Sequence, residues 1–141
     1  MKKLLSPSPI WLDGGLALVR IITGYFMYYH GKEVFDEELM KGYQTWDSFK
    51  GFSSPSFMVY MGKGAELVAG ILLMAGLFTR FAALIVIGTM AYISFFVADG
   101  EIWYKDQHPF MFVLMGFVFF FAGGGKYSLD NLVFKNKNRK T

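Results

Sequence analysis

Apolar residues gather in four runs along the chain, at about 15–35, 57–78, 81–98 and 109–123, with polar or turn-forming residues between them. A helix rises ~1.5 Å per residue, so runs of this length match a hydrocarbon layer ~30 Å thick. The expected fold is therefore an all-α membrane protein, an antiparallel four-transmembrane-helix bundle formed as one domain over residues 1–141. Thr79-Arg80 leaves room for only a very short turn, which folds the third run back beside the second. The fourth run is the shortest, and its length also fits a partly buried or re-entrant segment. Between the first two runs, DEELMKGYQTWDSFKGF sets Leu39, Met40, Tyr43, Trp46 and Phe49 among charges at spacings near three. That spacing predicts an amphipathic helix on the outer face.

Composition supports membrane residence: 54% of residues are hydrophobic and 19% aromatic. The absence of cysteine excludes disulfides, thiol relays and thiolate metal sites within the chain, so no metal or thiol cofactor is expected. A net charge of +3 would suit nucleic acid, but the basic residues collect at the two ends, at Lys2, Lys3, Lys135, Lys137, Arg139 and Lys140. This distribution is a topology signal, and nucleic acid is not expected as a partner. The loop after the first run carries Glu33, Asp36, Glu37, Glu38 and Asp47, and the loop after the third carries Asp99, Glu101 and Asp106. Both loops are net acidic. The positive-inside rule places them outside and both termini in the cytoplasm, with residues 124–141 as a basic cytoplasmic tail. Ahead of Pro7 and Pro9 there is no long apolar run, so a cleaved signal peptide is not expected.

Two charges interrupt the second run. Lys63 and Glu66 stand three apart on one helical face, and a bare charge at the bilayer centre costs at least ~2.5 kcal/mol. Both must turn toward protein or a wet cavity. On the first helix Arg20, Thr23, Gly24, Met27, His30 and Gly31 fall within a sector of about 120° at ~100° per residue. Facing stripes would gather Arg20, Glu66, Lys63 and His30 into one cluster, although Arg20 lies near enough to the cytoplasmic end to snorkel to the headgroups instead. The third helix adds Gly88, Thr89, Tyr92 and Asp99 on one face; the fourth adds His108, Met111, Met115 and Phe119. Glycines 24, 62, 70 and 88 would allow close helix approach and need no further role. Glu66 and His30 are the candidate catalytic residues; Arg20, Lys63, Met27, Thr89 and Tyr92 are the candidate ligand-binding residues. Two histidines and a glutamate without metal-ligand spacing predict no metal site.

LVRIITGYFMYYHGKEVF around Arg20, GKGAELVAGILLMAGLFTRFAAL around Glu66 and the closing GGGKYSLDNL together resemble the DoxX family of small four-helix membrane proteins. The resemblance covers the chain from about Gly15 to Leu132 and implies a bundle in the bacterial cytoplasmic membrane. Its pattern falls here on Arg20, His30, Gly31, Glu66, Gly70, Gly76, Thr79, Arg80, Tyr127, Ser128 and Asp130. The chain departs from it at the start of the fourth helix, where His108 stands near the place of an acidic residue, and in a longer, more aromatic first outer loop. Relatives include the membrane subunit of a thiosulfate:quinone oxidoreductase. The resemblance therefore implies an integral membrane subunit of a redox system, with a quinone or similar lipid-soluble molecule as ligand, surrounded by membrane lipids and joined by a protein partner or a second copy. A quinone carbonyl needs a donor and a proton source, which Arg20, His30 or Lys63 and Glu66 could supply. The alternatives are a non-catalytic assembly factor or accessory subunit that recognises a partner through the outer loop, and a small-solute carrier.

Overall fold

A computed structural model describes residues 6–135, and the basic residues at positions 2, 3, 137, 139 and 140 lie outside them. Among the described residues the chain is all-helical, without a strand. Helix α1 (Leu12–Gly31) leads through a tight 3-10 turn, Lys32–Phe35, into the short helices α2 (Glu37–Gln44) and α3 (Asp47–Lys50). Then come α4 (Pro55–Ala75), α5 (Thr79–Tyr92, continued by a wider π turn over Ile93–Val97), α6 (Gln107–Ala122) and α7 (Leu129–Lys135). Two helical stretches are long and apolar enough to cross a membrane, Pro55–Ala75 with 21 residues and Thr79–Val97 with 19. Helix α6 is equally apolar in character but shorter.

Local chemistry explains where the boundaries differ from those predicted. The first helix stops at Gly31 instead of running to 35. Beyond it the Asp36 carboxylate accepts hydrogen bonds from the backbone N–H groups of Glu38 and Leu39, both at 3.1 Å, and so starts α2 as an N-cap. In place of one amphipathic helix over the connection there are two short ones, broken at Thr45-Trp46, where the Thr45 hydroxyl donates to the Gly42 carbonyl. Helix α4 opens with Ser54 accepting from the Phe57 N–H at 3.3 Å and with Pro55 at its first position, where a missing N–H costs nothing. It closes on Gly76 at φ 65°, with Leu77 N–H bonded to the Leu72 carbonyl and Gly76 N–H to Leu73. This paired closure needs a left-handed residue that glycine supplies without strain. The turn to α5 is therefore Gly76-Leu77-Phe78, and Thr79 and Arg80 belong to the next helix.

The long helices run alternately up and down. One end of the bundle, the loop end, carries α2, α3 and the α5–α6 connection; the other, the terminal end, carries the α4–α5 turn and α7. Helices α1 and α4 approach most closely. A Cβ added at Gly70 would lie 2.4 Å from the Tyr28 amide nitrogen, and one at Gly31 would lie 2.2 Å from that of Leu67. Only glycine allows two backbones to meet in this way. At Gly116 an added Cβ would lie 2.6 Å from the Ile87 side chain and 3.2 Å from the Ala83 carbonyl oxygen, so α6 packs closely on α5 there. The expectation of close approach fails at Gly62 and Gly88, where an added Cβ would meet nothing within 4 Å. Met27, Leu73, Ala82, Val86 and Phe119 form the centre of the core. Leu18, Ile22, Phe26, Ile71, Leu84, Phe117 and Phe121 clad the outside of the helices with exposed apolar groups.

Candidate functional site

Near the loop end the long helices separate around a cavity of about 580 Å³. Met27 and His30 of α1, Lys63 and Glu66 of α4, Thr89 and Tyr92 of α5 and His108 and Phe112 of α6 all line it. Tyr43, Trp46 and Phe49 roof it from α2, α3 and the break between them. The wider π turn after Tyr92 shifts the helix register there, and both Ile93 and Val97 of that turn face the cavity. Such turns change which side chains an otherwise regular helix presents. Ser48 of α3 donates to the Val97 carbonyl at 3.1 Å, joining the roof to the end of this segment.

Its polar wall is an ion cluster. The Lys63 ammonium lies 2.8 Å from Glu33 Oε2 and 3.1 Å from Glu66 Oε2, and Glu66 is only 2% exposed. Tyr43 donates its hydroxyl hydrogen to Glu33 Oε2 at 2.8 Å. Two carboxylates thus share one ammonium, and the phenol completes the network. Burial alone would raise the Glu33 carboxyl, but hydrogen bonds from Lys63 and Tyr43 and the lysine's charge outweigh it and hold the group below the usual range. Burial and donation to Glu33 push the Tyr43 phenol up. His30 borders the cluster, its Nδ1 3.8 Å from Glu33 Oε1, too far for a hydrogen bond. The His30 and His108 rings meet edge to face at 6.0 Å, and His108 packs on Phe112 at 5.3 Å.

Lys63, Glu66, His30, Met27, Thr89 and Tyr92 therefore share one cavity. Arg20 does not join them, and it does not snorkel either: it is 1% exposed at the terminal end. The reason is rise along the helix, since ten residues separate Arg20 from His30 and place them ~15 Å apart. Its guanidinium donates to the carbonyls of Leu73, Met74 and, at 2.6 Å, Tyr127. The first two belong to the last turn of α4, where a cation meets the negative end of the helix dipole; the Leu73 carbonyl also accepts from Gly76 N–H. Asp130 performs the complementary task at the start of α5, accepting from Phe78 N–H at 2.6 Å and Thr79 N–H at 2.8 Å. It thereby holds Phe78 in its left-handed conformation at φ 48°. Arg80 donates to the Phe120 carbonyl at 3.1 Å, and the Asp130 N–H bonds the Gly76 carbonyl. Residues 124–135, expected as part of a tail, are folded across the α4–α5 turn and closed by α7. The motif residues Arg20, Gly76, Thr79, Arg80, Tyr127, Ser128 and Asp130 form a clasp, separate from the cavity.

Sequence reading missed Glu33 and Tyr43 as cluster members. In the sequence Glu33 reads as one of the loop acids and Tyr43 as an apolar position of an amphipathic helix. A signal for Glu33 exists in its position three residues beyond His30, the distance at which a helical turn brings side chains together. Nothing local marks Tyr43, which reaches Glu33 only because α2 folds back over α4.

A family model described as DoxX matches residues 15–99. A Haemophilus influenzae protein named "Uncharacterized protein" is 32% identical over 127 residues, covering 85% of this chain and 91% of that protein. A Bacillus subtilis protein named "Putative oxidoreductase CatD" is 32% identical over 130 residues, covering 87% of this chain and 90% of its own length. No solved structure matches. With the match running from the first helix through the wider turn of α5, and two full-length relatives at this identity, the chain belongs to the DoxX family.

Proposed function

We propose that this chain is an integral membrane subunit of a redox system and that its loop-end cavity binds a quinone or a similar lipid-soluble small molecule. In this reading α1, α4, α5 and α6 span the bacterial cytoplasmic membrane, both termini are cytoplasmic, and α2 and α3 lie at the outer face. The observation that carries it is the cavity: about 580 Å³ within a belt of exposed apolar side chains, with a buried ion cluster on one wall. Ligand sites of ~300–1,000 Å³ with apolar walls and a few convergent polar groups are the usual form of small-molecule sites. The family membership and the oxidoreductase name of the Bacillus relative point to redox chemistry.

The residues present suit a quinone. When bound, such a molecule supplies a carbonyl/hydroxyl couple that takes up or releases two electrons and two protons. Lys63 has three N–H groups and two carboxylate partners, which leaves one donor for a carbonyl oxygen. His30 and His108 provide ring nitrogens on the same wall. Glu66 can hold a proton, and Lys63 bridges it to Glu33 at the roof. Phe112, Tyr92 and Trp46 offer flat apolar faces that exclude water from the ring. With no cysteine in the chain, the electrons come from or go to a bound cofactor or a partner.

Extraction of the protein in mild detergent, followed by mass spectrometry of the bound small molecules, tests this. Quinone should accompany the wild type at near-stoichiometric levels and be lost from Phe112→Ala and Lys63→Met. Equal, trace amounts in all three would leave an accessory, non-catalytic subunit as the reading of the fold.

A further inference from the structure

The geometry points to a lateral portal between α4 and α5, through which a molecule dissolved in the bilayer reaches the loop-end cavity without passing through water. Gly62 and Gly88 both line the cavity, and an added Cβ at either would meet no atom within 4 Å. Those two glycines therefore border open space, in contrast to Gly31 and Gly70, which are pressed against backbone. Met61 and Leu84 also line the cavity, and each is 51% exposed. A side chain that is part cavity wall and part outer surface marks an opening. This one faces the apolar belt.

The helix pair explains why the gap lies there. At the terminal end α4 and α5 are tied by the three-residue turn Gly76-Leu77-Phe78, clasped by Asp130. Toward the loop end no glycine contact holds them together, and the π turn after Tyr92 alters the path of α5. The roof is held together by side-chain contacts: Tyr43 on Glu33, Ser48 on Val97, and Trp46 against Tyr43 at 5.0 Å. Behind the portal the ion cluster carries two carboxylates to one ammonium, which disfavours an anionic ligand. A neutral head group on an apolar chain fits, the head at Lys63 and the chain emerging past Gly62 and Gly88. The choice of a quinone-like head rests on the reading above; the portal does not.

The cysteine-free chain allows a direct test. Thr89→Cys places a single thiol on the cavity wall, and its labelling in vesicles is followed with a bilayer-dissolved alkyl maleimide and with a charged, water-soluble maleimide. A portal gives faster labelling by the alkyl reagent, and adding Gly62→Leu with Gly88→Leu slows that reagent about tenfold or more while leaving the charged one unchanged. The Cβ of each leucine enters open space, and melting of the variant checks that the fold is retained. Equal labelling by the two reagents, or no slowing by the leucines, overturns the portal. Protection of the thiol by decylubiquinone is read in the same vesicles: its absence, with the leucine effect intact, would count against the quinone reading alone.

Discussion

Removing the shared cation should destabilise the loop end more than any other single change there, and removing one of its carboxylates as well should restore part of the loss. At an effective dielectric of ~20, unit charges at the observed 2.8 and 3.1 Å attract by about 6 and about 5 kcal/mol. Desolvation of three ions and repulsion between the two carboxylates cancel most of that. What remains is the cost of stranding buried charge, ~3–5 kcal/mol when one partner of a buried pair is removed. The lower end applies here, because the Lys63 and Glu33 side chains keep 17% and 20% of their exposure. Lys63→Met should therefore cost about 3 kcal/mol, or a fall in Tm of about 10 °C for a chain of this size. The double variant Lys63→Met/Glu66→Gln neutralises the more buried carboxylate and should recover at least about 1 kcal/mol of this. Thermal unfolding of the wild type, both single variants and the double variant in one detergent gives the coupling. Additive losses, or a Lys63→Met Tm within about 2 °C of wild type, would show that the cluster is not an interacting unit.

Gly70→Ala should force α1 and α4 apart, because its Cβ would meet Tyr28 backbone at 2.4 Å, and cost about 1–3 kcal/mol, whereas Gly62→Ala, with open space around its Cβ inside α4, should stabilise by up to about 1 kcal/mol. Arg20→Leu removes the donor to three carbonyls, so amide exchange across residues 72–78 and 126–130 should accelerate while the loop end stays protected. Asp130→Ala withdraws the acceptor of two N–H groups at the start of α5 and should cost about 1–2 kcal/mol, read by chemical or thermal unfolding. Glu33 has its carboxyl held below the ordinary range, so its contribution to stability is complete above the unfolded-state pKa and is lost as pH falls through the lowered folded-state value. Glu33→Gln should accordingly flatten the acid limb of a Tm-versus-pH profile and leave the wild type the more stable only on the neutral side; an unchanged acid limb would refute that role.

The helices were legible because apolar runs bounded by Gly, Pro and Ser leave little freedom, and their ends fell within a few residues of α4, α5 and α6. Lys63 and Glu66 stood out because charge inside an apolar run demands a partner. The partner itself was not legible. Glu33 sits in a 3-10 turn whose direction depends on the Asp36 cap, and Tyr43 arrives through a fold-back of α2 that no local spacing encodes. Arg20 shares a helical stripe with His30, but a stripe aligns side chains in direction only and leaves these two ~15 Å apart along the axis. Its carbonyl partners are backbone atoms, invisible to any reading of side-chain types. Glycines posed the same problem: identical residues serve contact at positions 31 and 70 and open space at 62 and 88, and only neighbouring atoms distinguish them.

Trp46 lines the cavity, so a variant with Trp11 and Trp103 replaced by Phe carries its own reporter of occupancy. Titration of that protein in lipid nanodiscs with decylubiquinone should quench Trp46 saturably, and Lys63→Met should weaken the apparent affinity by about tenfold or more. Quenching that rises linearly without saturation, or the same saturable curve with and without Lys63, would contradict a quinone held at this cluster.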